Sequence, residues 1–301
     1  MNTGVIFIAI TAILWGTSGI SAKYLINTYA LSPLAIAALR LLIAAPVLLI
    51  MAKLESKTKV KIAKRHYALC VIYGITIASY QITYFSAVEN IMVSIATLLA
   101  LCTAPIFVAI LSGIFLKERM TNIVRIALVL SIIGTTLTIN ITGVQFQAGS
   151  NFWGYPLALA AGLSYAVYTL CGRGLAVHYP PARVMSVTVS LGALITLPFL
   201  RVPGNLPWEA WGILLYLGVV PTAIAYILFT RGLKKSTATQ ASIATLFEPL
   251  TSTILSVLLL NEKFSQGQVF GAVLLASTLL LLVFKDYFEA LGGTKPLADS
   301  D

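Results

Sequence analysis

Apolar stretches of about twenty residues alternate with short polar connections along the chain. A bilayer core is about 30 Å thick and an α-helix rises about 1.5 Å per residue, so each stretch can cross it as a helix. Ten such windows fall near residues 4–25, 33–52, 66–88, 91–116, 123–141, 152–175, 182–200, 208–230, 238–260 and 267–284. No connection is long enough for a soluble domain, and the segment 289–301, with Gly292, Gly293 and Pro296, reads as a disordered tail. The predicted fold class is an all-α polytopic membrane protein.

Composition agrees. Of 301 residues, 58% are hydrophobic and 10% charged, whereas soluble domains carry about 25% charged residues. The balance of +10 would suggest nucleic acid in a soluble protein; in a lipid-embedded chain it is an orientation signal, and no nucleic-acid partner is expected. Cys70, Cys102 and Cys171 fall inside apolar windows and read as small buried side chains, neither a disulfide framework nor a metal site. Met1-Asn2-Thr3 lacks the basic segment of a signal peptide, so the first window reads as a retained helix.

Basic residues concentrate in the even-numbered connections: Lys53, Lys57, Lys59, Lys61, Lys64 and Arg65 in the second, Lys117, Arg119 and nearby Arg125 in the fourth, Arg173 and Arg183 around the sixth, Arg231, Lys234 and Lys235 in the eighth. The odd-numbered ones have Arg201 and Lys263, with Lys23 near the end of the first helix. This asymmetry puts the even connections and both termini in the cytoplasm. Trp153, Tyr155, Trp208 and Trp211 sit near predicted helix ends, where an aromatic belt belongs.

The windows also repeat. Setting Pro105 on Pro249, a spacing of 144, superposes Ile110-Leu111-Ser112 on Ile254-Leu255-Ser256, Leu116 on Leu260, Glu118 on Glu262 and Gly74 on Gly218. Trp15 falls on Tyr165 and Lys23 on Arg173 at a spacing of 150, and Pro33 on Pro181 at 148. Five helices is an odd number, so the second copy enters the membrane inverted. The chain therefore divides into a first repeat, 1–145, and a second, 146–288.

These residues resemble a known family. Ile13-Leu14-Trp15-Gly16, Leu39-Arg40, Ala104-Pro105 with Phe115-Leu116-Lys117-Glu118-Arg119, and the run from Glu248-Pro249 to Leu260-Asn261-Glu262-Lys263 are similar to the drug/metabolite transporter superfamily, in its ten-helix bacterial form with two EamA-type repeats. The resemblance implies two inverted five-helix repeats around a central cavity, alternating access, a cell inner membrane location, and export of small metabolites, amino acids being a common class. It implies neither a cofactor nor an enzyme activity. Uptake or exchange of an amine, nucleoside or carboxylate stays open as an alternative, with an intramembrane enzyme more remote.

The candidate site is read from polar groups at depth. Glu248 lies about 15 Å into its window, close to the midplane; a charged carboxylate there must face a cavity, find a partner or take a proton. It is a candidate for substrate binding and proton coupling, against a reading as a neutral structural acid. Arg40, about 10 Å past Pro33, can meet a substrate carboxylate or cap helix ends. Both lack counterparts in the other repeat, whose matching positions are Ala104 and Thr188. Tyr73, Tyr80 and Tyr84, spaced seven and four apart, put one aromatic face on the third helix with Gln81 adjacent; Trp15, Tyr165, Tyr168 and Tyr226 add rings from other helices. Such rings suit a small amphipathic solute or a cation, or simply pack. Pro105 and Pro249 are predicted helix kinks.

Gly16-Thr17-Ser18-Gly19 matches the G-x-S-G of intramembrane serine proteases, but His66 and His178 are predicted at the other membrane edge. No Gly-rich Lys-Ser/Thr loop for ATP occurs. Gly267-x-x-x-Gly271 and Ala127-x-x-x-Ser131-x-x-x-Thr135 permit close helix approach, within the chain or between copies. The expected partners are the lipid bilayer, a small solute and protons, for a monomer or weak homodimer.

Overall fold

The computed structural model describes residues 2–55, 61–91, 93–139, 152–260, 265–285 and 287. Lys57, Lys59, Asn261, Glu262, Lys263, the 145/146 repeat boundary and the tail over 289–301 lie outside them. Among the described residues the chain forms ten helical segments and no strand. They are α1 (Thr3–Tyr29), α2 (Pro33–Glu55), α3 (Tyr67–Asn90), α4 (Val93–Leu111), α5 (Asn122–Ile139), α6 (Gly154–Ala176), α7 (Pro181–Thr196), α8 (Trp208–Lys235), α9 (Ala238–Thr245, then Glu248–Leu260) and α10 (Gln266–Val283).

Eight of these are long and apolar enough to cross a membrane by themselves. The exceptions are α6, whose apolarity is diluted by Tyr155, Tyr165, Tyr168, Arg173 and four glycines and which is mostly enclosed by neighbours, and α9, which is broken in two. Local signals set several ends. Asn2 caps α1 through the Gly4 and Val5 amides, and Ala30 closes it in the left-handed region at φ 52°. Capping boxes at Thr237–Gln240 and Ser265–Gln268 start α9 and α10. The C-terminal turn of α1 and the last turn of α8 run beyond the apolar windows.

The two repeats are interleaved. α3 packs on α6 and α7 as α8 packs on α1 and α2; α4 packs on α6 as α9 packs on α1; and α2 meets α7, and α5 meets α10, across the pseudo-twofold. Close approaches follow the same exchange. A methyl group built on Gly74 would lie 2.7 Å from Leu191 Cβ and 2.9 Å from the Thr188 carbonyl oxygen; on Gly218 it would lie 2.6 Å from Ile43 Cβ and 3.3 Å from the Arg40 oxygen. Gly74 and Gly218 match at a spacing of 144, while Thr188 and Leu191 match Arg40 and Ile43 at 148, so the two contacts are one contact made twice. Gly271 lies against Gly134 on α5, with their carbonyls 2.7 and 3.1 Å from the added carbons. At Gly134 and Gly271 this small-residue face is used inside the chain; among the described residues Gly267 meets only Ser265.

The even-numbered connections gather at one end. Asn2 N donates to the Val283 oxygen there, Asn2 Nδ2 to Gln240 Oε1, and Ala63 N and His66 Nδ1 meet the Tyr179 hydroxyl at 2.9 and 2.8 Å. Trp153, Trp208 and Trp211 are exposed at helix ends, where indole rings fit the interface. Lys23 is exposed, and the three cysteines are free.

Candidate functional site

α9 decides where the site lies. Its first piece ends at Thr245, Leu246–Phe247 form a turn, and Glu248 begins the second piece. A helix restarting inside the bilayer presents unpaired amides and the positive end of its dipole, which suits a carboxylate in its first turn. Pro249, lacking an N–H, tolerates that position. The matching Pro105 sits within α4, which is continuous from Val93 to Leu111 and then loosens into a π turn at Ser112–Leu116. One missing amide bond there does not interrupt the helical backbone.

α1 presses against this break. A methyl group on Gly16 would lie 2.6 Å from Thr251 Cβ and 2.9 Å from the Glu248 carbonyl oxygen, and Ser252 Oγ donates to the Gly16 oxygen at 2.9 Å. Only a residue without a side chain fits, and the preceding Trp15 is thereby placed beside Glu248.

Trp15, Ser18, Arg40, Tyr80, Gln81, Tyr165, Tyr168, Tyr226 and Glu248 line one cavity, with about 340 Å³ of empty space including its mouth. The Trp15 ring stands edge-on to Tyr226 with centroids 5.7 Å apart, and Tyr165 and Tyr168 lie 4.7 Å apart. Tyr165 is held by a 2.8 Å hydrogen bond between its hydroxyl and Thr245 Oγ1. Tyr84 does not line the cavity: its ring stacks behind Tyr80 at 5.9 Å and its hydroxyl meets Thr97 Oγ1 at 2.8 Å. Seven residues before Tyr80 on α3, towards the even-connection end, Tyr73 stacks on Tyr168, fully buried.

Arg40, 8% exposed, is oriented by α8. Its Nε donates to Thr222 Oγ1 at 2.9 Å and its Nη2 to the Pro221 oxygen at 3.4 Å. Both acceptors lie in a π turn, Val219–Ile224, where Pro221 supplies no amide; the Thr222 hydroxyl donates to the Leu217 oxygen at 2.7 Å. With its proton committed there, Thr222 offers Arg40 only a lone pair. Among the described residues the guanidinium makes no other hydrogen bond, and Arg40 lines the cavity. Thr222→Val strands two buried partners, and we expect it to cost about 1–3 kcal/mol, read as a lower thermal unfolding midpoint; Thr222→Ser should retain most of the stability.

Among the described residues, the ion pairs are Arg173–Glu118 and Arg231–Glu55, and neither cavity charge belongs to them. Glu248 and Arg40 thus both line the cavity without being in ion-pair contact with each other. Among the described residues, Trp15 Nε1 finds no hydrogen-bond partner although it is buried. Ser18 donates back to the Trp15 oxygen at 2.6 Å, while His66 and His178 stack on each other at 5.1 Å at the even-connection end, so Ser18 has no histidine base.

Helical pairs exchanged between repeats and a cavity at a broken helix are features of transporters. A family model described as "EamA-like transporter family" matches residues 2–140 and 152–284. The chain belongs to the EamA-like transporter family. It is 30% identical over 281 residues to the "Uncharacterized transporter YwfM" of Bacillus subtilis (strain 168), covering 92% of each chain. To the "Uncharacterized inner membrane transporter YicL" of Salmonella typhimurium it is 28% identical, over 93% of this chain and 94% of that one. A solved crystal structure superposes with a TM-score of 0.80 at 20% identity, over 94% of this chain and 99% of the other, a likeness of fold alone. As an EamA-like protein this chain is a multi-pass membrane transporter and not an enzyme.

Proposed function

We propose that this EamA-like transporter carries small zwitterionic or amphipathic metabolites, amino acids first among them, out of the cytoplasm by alternating access. The observation that supports the reading is the pairing in one small cavity of two unlike charges, Glu248 and Arg40, held apart on different helices and walled by aromatic rings. A solute carrying both an ammonium and a carboxylate complements both, and the rings accept its apolar part or a cation over their faces. Candidate binding residues are Trp15, Arg40, Tyr80, Gln81, Tyr165, Tyr168, Tyr226 and Glu248, with Tyr84 supporting Tyr80. Basic residues at the even-connection end support a plasma or inner membrane orientation with that end, and both termini, in the cytoplasm.

Counterflow in proteoliposomes against amino acids, amines, nucleosides and carboxylates tests it. Amino acids should exchange, while the corresponding amines and carboxylic acids, each lacking one charge, should exchange about ten-fold more slowly or worse, the factor that about 1.4 kcal/mol of lost interaction represents. Equal transport of the amine and the amino acid would remove Arg40 from recognition; exchange of nucleosides alone would overturn the reading.

A further inference from the structure

At the end where the even-numbered connections gather, two carboxylates of the first repeat close onto the second. Glu55, the last residue of α2, accepts the Ala182 amide at 2.8 Å through Oε2 and Arg231 Nη2 at 3.2 Å through Oε1. Glu118, just beyond α4, accepts the Ala238 amide at 2.9 Å through Oε1 and the Thr239 amide at 3.5 Å through Oε2, with Arg173 Nε 3.9 Å from Oε1. Arg173 also donates from Nη1 to the Leu233 and Lys234 oxygens at 2.7 and 3.0 Å, tying the end of α8 to the same carboxylate.

The two arrangements are built alike. Each joins a glutamate at the exit of a first-repeat helix, the first-turn amides of a second-repeat helix (α7 or α9) and an arginine from another second-repeat helix (α8 or α6). First-turn amides are unpaired donors at the positive end of a helix dipole. α7 has no side-chain cap of its own, and the cap of α9, Thr237, bonds to Gln240. The glutamates fill what is left. Among the described residues every partner of these two glutamate side chains lies in the other repeat.

Both links share a location. Among the described residues both ion pairs lie at this end. Between them and the cavity stand Tyr73 and Phe229, each 1% exposed, with Leu233 and Met185 packed as tightly. To open this end, the starts of α7 and α9 must separate from the ends of α2 and α4, and a carboxylate cannot follow both.

We propose that Glu55 and Glu118 are gating residues, paired latches that hold the even-connection end of the transporter shut and that both release when the cavity opens there. A hydrogen bond to a charged group is worth roughly a factor of ten or more in an equilibrium constant, and loss of two such groupings shifts the balance between access states accordingly. The inference rests on alternating access, proposed above, and not on which solute is carried.

The test needs no solute. In a background with Cys70, Cys102 and Cys171 replaced by alanine, Ser18→Cys reports on the cavity, labelled by an impermeant maleimide in right-side-out and inside-out vesicles. The Glu55→Gln/Glu118→Gln variant should label about a hundred-fold faster from the even-connection side and more slowly from the other, with each single change giving about ten-fold. Unchanged rates from both sides in the double variant, with its melting transition intact, overturn the gating assignment. If the double variant does not fold, the singles decide by the same comparison. A cavity cysteine that labels from one side only, in every variant including the folded double, counts against alternating access itself.

Discussion

Glu248→Gln should abolish pH-dependent, concentrative transport while downhill exchange survives. Glutamine keeps the size and most hydrogen bonding of the side chain but cannot bind or release a proton. The wild-type carboxylate opens a half-helix, lines the cavity and has no cation within ion-pair distance among the described residues. A carboxylate at membrane depth must face a cavity, find a cationic partner or take a proton; on the proposed reading a substrate cation and a proton would compete for this one side chain. Proteoliposomes with an imposed pH gradient should lose about ten-fold or more of gradient-driven accumulation, the effect of about 1.4 kcal/mol of lost coupling, with counterflow at equal pH much less affected. A pH profile unchanged from wild type would make Glu248 a packing residue.

The second large effect is on stability. Gly74→Ala and Gly218→Ala should each destabilise the protein, and by similar amounts. The added methyl meets Leu191 Cβ and the Thr188 oxygen in one case and Ile43 Cβ in the other, atoms close to the backbone that move only with their helices. Overpacking of this kind costs about 1–3 kcal/mol. Gly212→Ala, on the same α8 but with nothing within 4 Å of the new carbon, is the control. Thermal unfolding in detergent should show matched losses at Gly74 and Gly218 and none at Gly212. A large loss at only one of the pair would mean the two repeats do not share this contact mechanically.

Much of this architecture is legible in the sequence because small and helix-breaking residues mark positions that packing cannot vary. Gly74 and Gly218 fall at the same spacing as Pro105 and Pro249, and in three dimensions they make the same contact. The spacings drift from 150 at α1/α6, through 148 at α2/α7, to 144 at α3/α8, because the connections differ in length while the helix contacts do not. Cavity residues were legible where a polar group stood out against apolar neighbours, as at Arg40, Gln81 and Glu248. Ser18 was not: on a helix a serine satisfies itself on its own backbone, and its motif pointed to an unrelated chemistry. Thr222 was hidden for a related reason, since its role depends on a π turn that Pro221 permits but does not announce. Tyr84 shared the spacing of Tyr80 yet turned to Thr97, a choice made by α4. Nor does proline content alone set a break: α4 carries Pro105 without interruption, while α9 gives way before Pro249, where α1 leans on it through Gly16.

Because α1 finds its main neighbours in α8 and α9, and α6 in α3 and α4, the order of synthesis and the order of contact run against each other. The first helix enters the membrane long before its partners exist, and Arg40 arrives without Thr222. Neither half can bury its own faces, so each must stay loosely assembled in lipid until the other is made. Two halves expressed as separate polypeptides, divided in the connection between α5 and α6, would then have to find one another as subunits do, the chain being in effect a heterodimer whose members happen to be joined.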